Sequence, residues 1–335
     1  MTGHTAARMP CCVLDHARQV SCQGVHGEAV MRSAVLALLL LLPVAVDAQD
    51  LNNVKTETDI VYGKGGNQEL RLDLAMPAKG DGPFPAIVCV HGGGWKGGSY
   101  KDMAQTIRAL AAEGFVALSV QYRLTPNMGQ PAGGLKARWP AQIEDCKCAV
   151  RWLRANAAKY KVDKSRIGAV GYSAGGHLVL LLGLTRSDDG LEGTGDLTPE
   201  ARKESSRVQC VVDFFGPTDL TTGDWDKLVE PLLLDMFDGP LDKKAKEYKR
   251  ASPITYVRKD KDNPPILIFH GTTDNIVRYN QSTKIEEALK GVGANVTLVT
   301  MQGDGHGWAG EKLADSIKRT VAFFKDHLAR APNSP

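Results

Sequence analysis

Short runs of almost wholly apolar residues recur along this chain, and they constrain its fold more than any other feature. A strand that is apolar on both faces is normally buried on both faces, which is typical of a parallel sheet covered by helices. The sequence therefore predicts a buried, mostly parallel sheet. The runs are PAIVCV, FVALSV, RIGAVG, CVVDFF, PILIFH and NVTLVT, at 85–90, 115–120, 166–171, 210–215, 265–270 and 295–300.

Segments of helical periodicity separate these runs and indicate how the sheet is covered. The alternation of strand and helix predicts a right-handed, doubly wound α/β fold. Ahead of it, TETDIVY and ELRLDLAMP flank a turn GKGG that starts at Gly63, which predicts an antiparallel hairpin. The expected fold is thus an eight-stranded sheet with an antiparallel N-terminal edge. The helical segments are 101–113, 140–159, 174–184, 279–291 and 311–329.

Two intervals interrupt the alternation of strands and helices. Residues 185–207 are polar and rich in glycine, and residues 222–250 contain a short amphipathic helical stretch. We interpret 222–250 as a small cap inserted over the carboxyl edge of the sheet. Neither interval has the features of an independent domain, so 49–335 is expected to form a single domain with this cap.

The N-terminal region has the layout of a secretory signal peptide. Residues 31–48 read MRSAVLALLLLLPVAVDA: a basic start, an apolar run and small residues that end at Ala48. The apolar run is shorter than the roughly 20 residues that a membrane span requires. We therefore expect cleavage after Ala48, a secreted or periplasmic protein, and no stable membrane span. Residues 1–30 are interpreted as a non-native or unstructured extension, with translation beginning at Met31.

Charge and cysteine content exclude several function classes. A formal net charge of +3 over 335 residues provides no basic stripe for nucleic-acid binding. Cys89 and Cys210 lie in apolar runs, where cysteine commonly serves as a small buried hydrophobe. Cys146 and Cys148 are two positions apart in a helical segment and point to different sides. No metal site is predicted, and export would permit a disulfide that the sequence does not pair.

The strongest motif is GYSAGG at residues 171–176, which follows a predicted strand and opens a predicted helix. This strand, turn and helix is the context that a nucleophile elbow requires. A serine on so sharp a turn needs strained backbone angles, and the flanking Gly171 and Gly175 allow neighbouring chain to approach. Ser173 is therefore the predicted nucleophile.

A serine nucleophile requires a base, and in this arrangement the chain order is serine, acid, histidine. Two histidines lie far enough along the chain, His306 in GDGHGW and His327 in the terminal helix. His306 follows a predicted strand in a glycine-rich loop, whereas His327 is flanked by charged residues on an expected surface helix. We predict His306 as the base; the alternative is a structural loop histidine.

The predicted acid is Asp274 in HGTTD, at the carboxyl end of the run PILIFH, where such sheets place functional loops. Its alternative role is that of a turn aspartate. Asp304 is a rival, but it is too close in sequence to His306 to reach the correct ring nitrogen easily. Asp219, which also follows a predicted strand, is a second rival.

Acyl transfer also needs N–H donors for a developing oxyanion. The stretch HGGGW, residues 91–95, follows a predicted strand, and its glycines allow close backbone approach. We predict the amides of Gly93, Gly94 and Ala174 as oxyanion donors, the alternative being a simple turn. No phosphate-binding glycine motif is present, which leaves nucleotide chemistry without support.

Tryptophans follow two of these motifs. Trp95 ends HGGGW and Trp308 ends GHGW. Large aromatic side chains at such positions can line a substrate pocket. Plain packing next to glycine is the equal alternative for both.

HGGGW, GYSAGG, HGTTD and GHGW, in this order, resemble the esterase and lipase branch of the α/β-hydrolases. The similarity covers about residues 55–328 and is to hormone-sensitive-lipase-like carboxylesterases and the bacterial feruloyl-esterase-like (BD-FAE-like) group. QIEDCKCAVRWLRANAAKY and ASPITYV look like the second group. The resemblance implies an α/β-hydrolase fold and short acyl, acetyl-xylan or feruloyl-polysaccharide esters as substrates.

The leading expectation is a secreted serine carboxylic-ester hydrolase that uses Ser173, His306 and Asp274 and no cofactor. Its partner would be a small-molecule or polysaccharide ester, not a nucleic acid. A small serine exopeptidase of the prolyl-oligopeptidase-like type is the alternative enzyme. A non-catalytic binding module is the alternative of a different class, although such relatives usually lose a triad member and none is missing here.

Overall fold

The computed structural model describes residues 53–193, 197–223, 225–260 and 262–329. The extension expected at 1–30 and the signal peptide expected at 31–48 lie outside these residues. Both therefore stay predictions.

Eight strands form one sheet: β1 (Val54–Gly65), β2 (Gln68–Pro77), β3 (Phe84–Val90), β4 (Val116–Val120), β5 (Val162–Tyr172), β6 (Cys210–Phe214), β7 (Ile266–Gly271) and β8 (Val296–Met301). Their spatial order is β1-β2-β4-β3-β5-β6-β7-β8. β2 pairs antiparallel with both β1 and β4, and all other neighbours are parallel. The predicted fold class, a mostly parallel eight-stranded sheet with an antiparallel N-terminal edge, is confirmed.

Helices connect the strands and cover the sheet: α1 (Ala104–Ala112), α2 (Ala141–Ala155), α3 (Ala157–Tyr160), α4 (Ala174–Leu184), α5 (Pro199–Lys203), α6 (Glu230–Phe237), α7 (Leu241–Ala251), α8 (Asn280–Gly291) and α9 (Gly310–His327). Short 3-10 helices occur at Tyr100–Met103, Ser187–Asp189 and Pro253–Tyr256. The predicted segment 140–159 is divided between α2 and α3, which flank Asn156.

The N-terminal hairpin turns later than the sequence predicted. Lys64 pairs with Glu69 and Gly65 with Gln68, so the strand pairing continues through the GKG of the expected turn. The chain reverses between Gly65 and Gln68 instead.

The core lies on both faces of the sheet, as expected for strands buried on both faces. Along β3, Ala86, Val88 and Val90 belong to one apolar cluster, and Ile87 and Cys89 belong to another. Successive side chains of a strand point to opposite faces, so each strand contributes to both clusters. This double burial explains why the predicted runs and the observed strands share nearly the same boundaries at β3, β4, β6 and β7. By contrast, β5 already starts at Val162, and the edge strand β8 exposes Thr297 and Thr300, although burial on both faces was predicted for its run.

The four cysteines within the described residues are free thiols, and all are buried. Cys146 and Cys148 lie in α2, the predicted helical segment. Burial raises the pKa of the Cys148 thiol to about 12. Among the described residues, no group of three or more His, Cys, Asp or Glu side chains has an arrangement that could hold a metal ion.

The interval predicted as a cap contains two helices, α6 and α7, where one short helix was expected. The first ends at Asp238, whose φ is 56°, and Gly239 and Pro240 then separate the two helices. The segment contacts the loop after β3, because Asp235 accepts a hydrogen bond from the ammonium of Lys96. Leu232 of α6 lies against Gly94 of the same loop.

In the part of the chain that the structure describes, we find no helix of the length and hydrophobicity that crossing a bilayer demands.

The packing across β5 generates a test of the core. A Cβ on Gly168 would lie 2.8 Å from a ring carbon of Phe324 and 3.1 Å from the sulfur of Cys210, both fully buried. We expect Gly168→Ala to lower the free energy of unfolding by about 1 to 3 kcal/mol through overpacking. Urea denaturation measures the change.

Gly291→Ala is the matched control, because a Cβ there has no neighbour within 4 Å. It should leave the urea midpoint unchanged or raise it slightly. A Gly168→Ala midpoint equal to that of the wild type would contradict the packing described for this face.

Candidate active site

The turn between β5 and α4 holds Ser173 in an unusual backbone conformation, with φ 54° and ψ −118°. Non-glycine residues rarely adopt positive φ, and such strain is characteristic of functional sites. The turn is tight: a Cβ on Gly171 would lie 2.2 Å from the carbonyl oxygen of Gly175, and one on Gly175 would lie 2.1 Å from that of Val90. The tight strand-to-helix turn that a nucleophile elbow requires is therefore present, and glycine is required at both positions.

The three side chains predicted for catalysis meet at the carboxyl edge of the sheet. His306 follows β8, and its Nε2 lies 2.9 Å from Oγ of Ser173, which follows β5. Its Nδ1 lies 2.6 Å from Oδ2 of Asp274, which follows β7. The structure thus aligns a serine, an imidazole and a carboxylate from three separate loops.

Asp274 is held as a carboxylate although its side chain is 0% exposed. Burial alone would raise the pKa of Asp274, but hydrogen bonds from His270 and His306 outweigh burial and lower it well below its ordinary value. The amides of Ile276 and Val277 donate to Oδ1, at 2.8 and 2.9 Å. A carboxylate can only accept, so Nδ1 of His306 carries the proton and Nε2 is free to accept from Ser173.

The rival residues are engaged elsewhere. Asp304 binds the ammonium of Lys312 at 2.5 Å, and Asp219 accepts from the hydroxyl of Thr221 at 2.6 Å. His327 lies at the end of α9, where its ring packs against Phe323. Of the candidates weighed from the sequence, only Asp274 and His306 lie in line with Ser173.

The predicted oxyanion donors lie on two segments that pack together. Ala174 is the first residue of α4, and its amide is among those with no partner inside the helix. Gly93 and Gly94 have φ of 111° and 59°, conformations that favour glycine. The start of α4 reaches the end of β3, because Gly175 packs on the carbonyl groups of Val90 and His91. The role of these amides as donors stays a prediction.

The two tryptophans contribute to packing. Trp95 is 2% exposed, and its Nε1 donates to Nδ1 of His177 at 3.1 Å. Trp308 is 7% exposed, donates to Ser316 at 2.8 Å and lies against Phe214 and Phe215. Because both indoles are buried and hydrogen-bonded, the structure favours the packing alternative over a pocket wall.

Three residues near the site were not singled out from the sequence. His270 at the end of β7 contacts Asp274, and Phe215, with φ 47°, places its ring 4.5 Å from that of His306. His177 accepts from Trp95 and lies 2.7 Å from the carbonyl of Ala251, and burial lowers its pKa to about 4. The sequence did offer one signal for two of them. His270 and His177 are polar residues within otherwise apolar segments, and a buried polar group needs a hydrogen-bond partner.

The arrangement can perform nucleophilic acyl transfer. An ionised acid orients an imidazole whose other nitrogen faces a serine hydroxyl at the start of a helix. The sheet order, the elbow and the order of serine, acid and histidine along the chain define the α/β-hydrolase class.

Within that class, the family model described as BD-FAE matches residues 72–289, and the chain belongs to this family. It is 33% identical over 266 residues to Esterase LipC of Mycobacterium tuberculosis (strain ATCC 25618 / H37Rv), covering 76% of this chain and 60% of that protein. It is 30% identical over 246 residues to Dipeptidyl aminopeptidase BIII of Pseudoxanthomonas mexicana, covering 71% of this chain and 32% of that protein. The chain therefore spans less than two thirds of the length of these relatives.

Among solved structures, the chain is similar to a truncated form of a carbohydrate esterase from gut microbiota. The TM-score is 0.70 and the identity 31%, and the match covers 82% of this chain and 97% of that chain. The match extends over nearly the whole of that truncated esterase chain and over most of this one.

The position of Asp274 generates a test of the predicted triad. Asp274→Asn keeps the volume but removes the charge that fixes the His306 tautomer. We expect kcat on p-nitrophenyl acetate to fall by about 10³- to 10⁴-fold with little change in KM.

Asp304→Asn is the control, because it alters the neighbouring rival acid and should retain nearly full activity. Equal losses in the two variants, or full activity in Asp274→Asn, would show that Asp274 is not the orienting acid.

Proposed function

We propose that this chain is a serine carboxylic-ester hydrolase. The observation that carries the proposal is the alignment of His306 between Ser173 and Asp274, at 2.9 and 2.6 Å. The named esterases among its relatives and structural neighbours support the same activity.

In the proposed mechanism, Oγ of Ser173 attacks the ester carbonyl while Nε2 of His306 accepts the hydroxyl proton. The oxyanion forms near the amides of Gly93, Gly94 and Ala174. An oxyanion donor of this kind stabilises the transition state by roughly 3 to 4 kcal/mol. The protonated His306 then donates to the departing alkoxide, which leaves an acyl-Ser173 and a free alcohol. Water, deprotonated by His306, releases the acid and restores the hydroxyl.

The substrates that we propose are short acyl esters or plant-polysaccharide esters, acetylated or feruloylated. Support comes from the neighbour named as a carbohydrate esterase and from membership of the BD-FAE family. Leu232 of α6 lies beside Gly94, so the cap borders the loop that carries two of the predicted oxyanion donors.

We propose that the protein is exported to the periplasm or secreted. The support is the sequence of residues 31–48, with its basic start, apolar run and small residues before the expected cleavage after Ala48. An exported hydrolase would reach polymeric esters that cannot enter the cell.

A small serine exopeptidase is the second candidate. The observation that favours it is the 30% identity to the dipeptidyl aminopeptidase, since the same triad can hydrolyse amides. The proposed esterase should cleave acetyl and butyryl p-nitrophenyl esters far faster than aminoacyl p-nitroanilides. A kcat/KM for the anilides equal to or above that for the esters would favour the exopeptidase.

The substrate proposal is tested with acetyl, butyryl, octanoyl and feruloyl esters and with acetylated xylan. We expect acetyl or feruloyl esters to have the highest kcat/KM and octanoyl esters the lowest. A preference for octanoyl esters would contradict the proposed substrate class.

The nucleophile is tested by Ser173→Ala. Removal of the hydroxyl abolishes acyl-enzyme formation, so p-nitrophenyl acetate turnover should fall at least about 10⁴-fold. Ser165→Ala is the control, because Ser165 is exposed at the opposite end of the same strand. Undiminished turnover in clean Ser173→Ala protein would contradict the mechanism.

A further inference from the structure

A second histidine is buried against the predicted catalytic acid. His270, at the carboxyl end of β7, is 0% exposed, and its Nε2 lies 3.2 Å from Oδ2 of Asp274. His306 binds the same carboxylate oxygen through Nδ1, at 2.6 Å. Two imidazoles therefore converge on one oxygen of Asp274, and only His306 reaches the serine.

The surroundings of His270 fix its tautomer. Nε2 lies 2.7 Å from the carbonyl oxygen of Val277, which can only accept, so Nε2 carries the proton. Nδ1 lies 2.6 Å from Oγ of Ser282 on α8 and accepts the hydroxyl proton. The Nε2–H donates to Val277, and the same nitrogen lies 3.2 Å from Oδ2 of Asp274. With this tautomer both ring nitrogens have a hydrogen-bond partner.

The same contacts connect His270 to the loop that carries the acid. The amide of Val277 donates to Oδ1 of Asp274, while its carbonyl accepts from His270. The ring consequently holds both the carboxylate and the turn that presents it. A histidine that served only to fill the core would need no contact with the oxygen that orients His306.

The charged and titratable groups that face His270 come from three elements. They are Asp274 in its own loop, His306 in the loop after β8, and Asp213 on the neighbouring strand β6. Tyr279 packs edge-on against the ring, with centroids 5.7 Å apart. Burial raises the pKa of Asp213 to about 7, and its Oδ1 accepts a hydrogen bond from the amide of Gly216 at 2.9 Å.

We propose that His270 is a positioning residue for the reaction: its Nε2–H, oriented by Ser282, holds the Asp274 carboxylate in the rotamer that aims His306 at Ser173. This inference rests on the proposed function, because it assigns His270 a part in the same reaction. His270 does not contact the serine, so it acts only through Asp274.

Removing the donor should slow the reaction. Without it Asp274 can rotate, and misplacement of a catalytic group by about 1 Å costs on the order of 100-fold in rate. The loss should therefore appear in kcat and leave KM nearly unchanged.

The test compares His270→Phe, which keeps an aromatic ring without a donor, with His270→Gln, whose amide nitrogen can occupy the place of Nε2. We expect kcat on p-nitrophenyl acetate to fall about 10- to 100-fold in His270→Phe and to be largely recovered in His270→Gln. Ser282→Ala, which retains the ring but removes the hydrogen bond to Nδ1, should give a smaller loss in the same direction. His327→Phe, which alters a histidine remote from the site, is the matched control.

Proton NMR of the protein without substrate separates this proposal from the proposed function. The Nδ1 proton of His306 in its bond to Asp274 should give a far-downfield resonance that moves in His270→Phe and Ser282→Ala and returns toward its place in His270→Gln. Absence of ester turnover by the wild type would contradict the proposed function alone. An unchanged resonance and an unchanged kcat in folded Ser282→Ala and His270→Phe would overturn the proposal, as would equal losses in His270→Phe and His270→Gln.

Discussion

The tight turn between β5 and α4 is the constraint on which the rest of the active site depends. It forces Ser173 to positive φ and places the hydroxyl at the start of a buried helix. The turn is possible only because glycines at 171 and 175 let the helix approach the end of β3. Since β5, β7 and β8 run parallel and end at one edge, the loops that carry Asp274 and His306 meet this hydroxyl.

The buried negative charge of Asp274 is compensated by hydrogen-bond donors around it. The carboxylate of Asp274 receives two backbone amides on one oxygen and the Nδ1–H of His306 on the other, which also lies 3.2 Å from Nε2 of His270. Burial raises the pKa of Asp274, but these donors outweigh burial and hold the pKa low. A buried ionised carboxylate is tolerated only with such partners. The result is a fixed tautomer of His306, with its basic nitrogen directed at the serine.

The sequence predicted the sheet and the three aligned residues because their signals are local. Runs that are apolar on both faces mark the strands, and GYSAGG, HGTTD and GHGW each lie directly after one. His270, Phe215 and His177 were missed because their roles arise from partners far along the chain or from backbone geometry, such as the contact between His177 and Ala251. The second cap helix was also missed, since Asp238, Gly239 and Pro240 end one helix without indicating another. The burial of Trp95 also involves a partner far along the chain, His177, so its position after three glycines did not indicate it.

The most direct test of the central claim, that Ser173 is activated by His306 and Asp274, is reaction of the folded protein with a fluorophosphonate probe followed by intact-mass analysis and peptide mapping. The account predicts one adduct per chain, on Ser173, formed much more slowly after His306→Ala. An unlabelled protein, an adduct on another residue, or labelling that is unaffected by loss of the imidazole would contradict it.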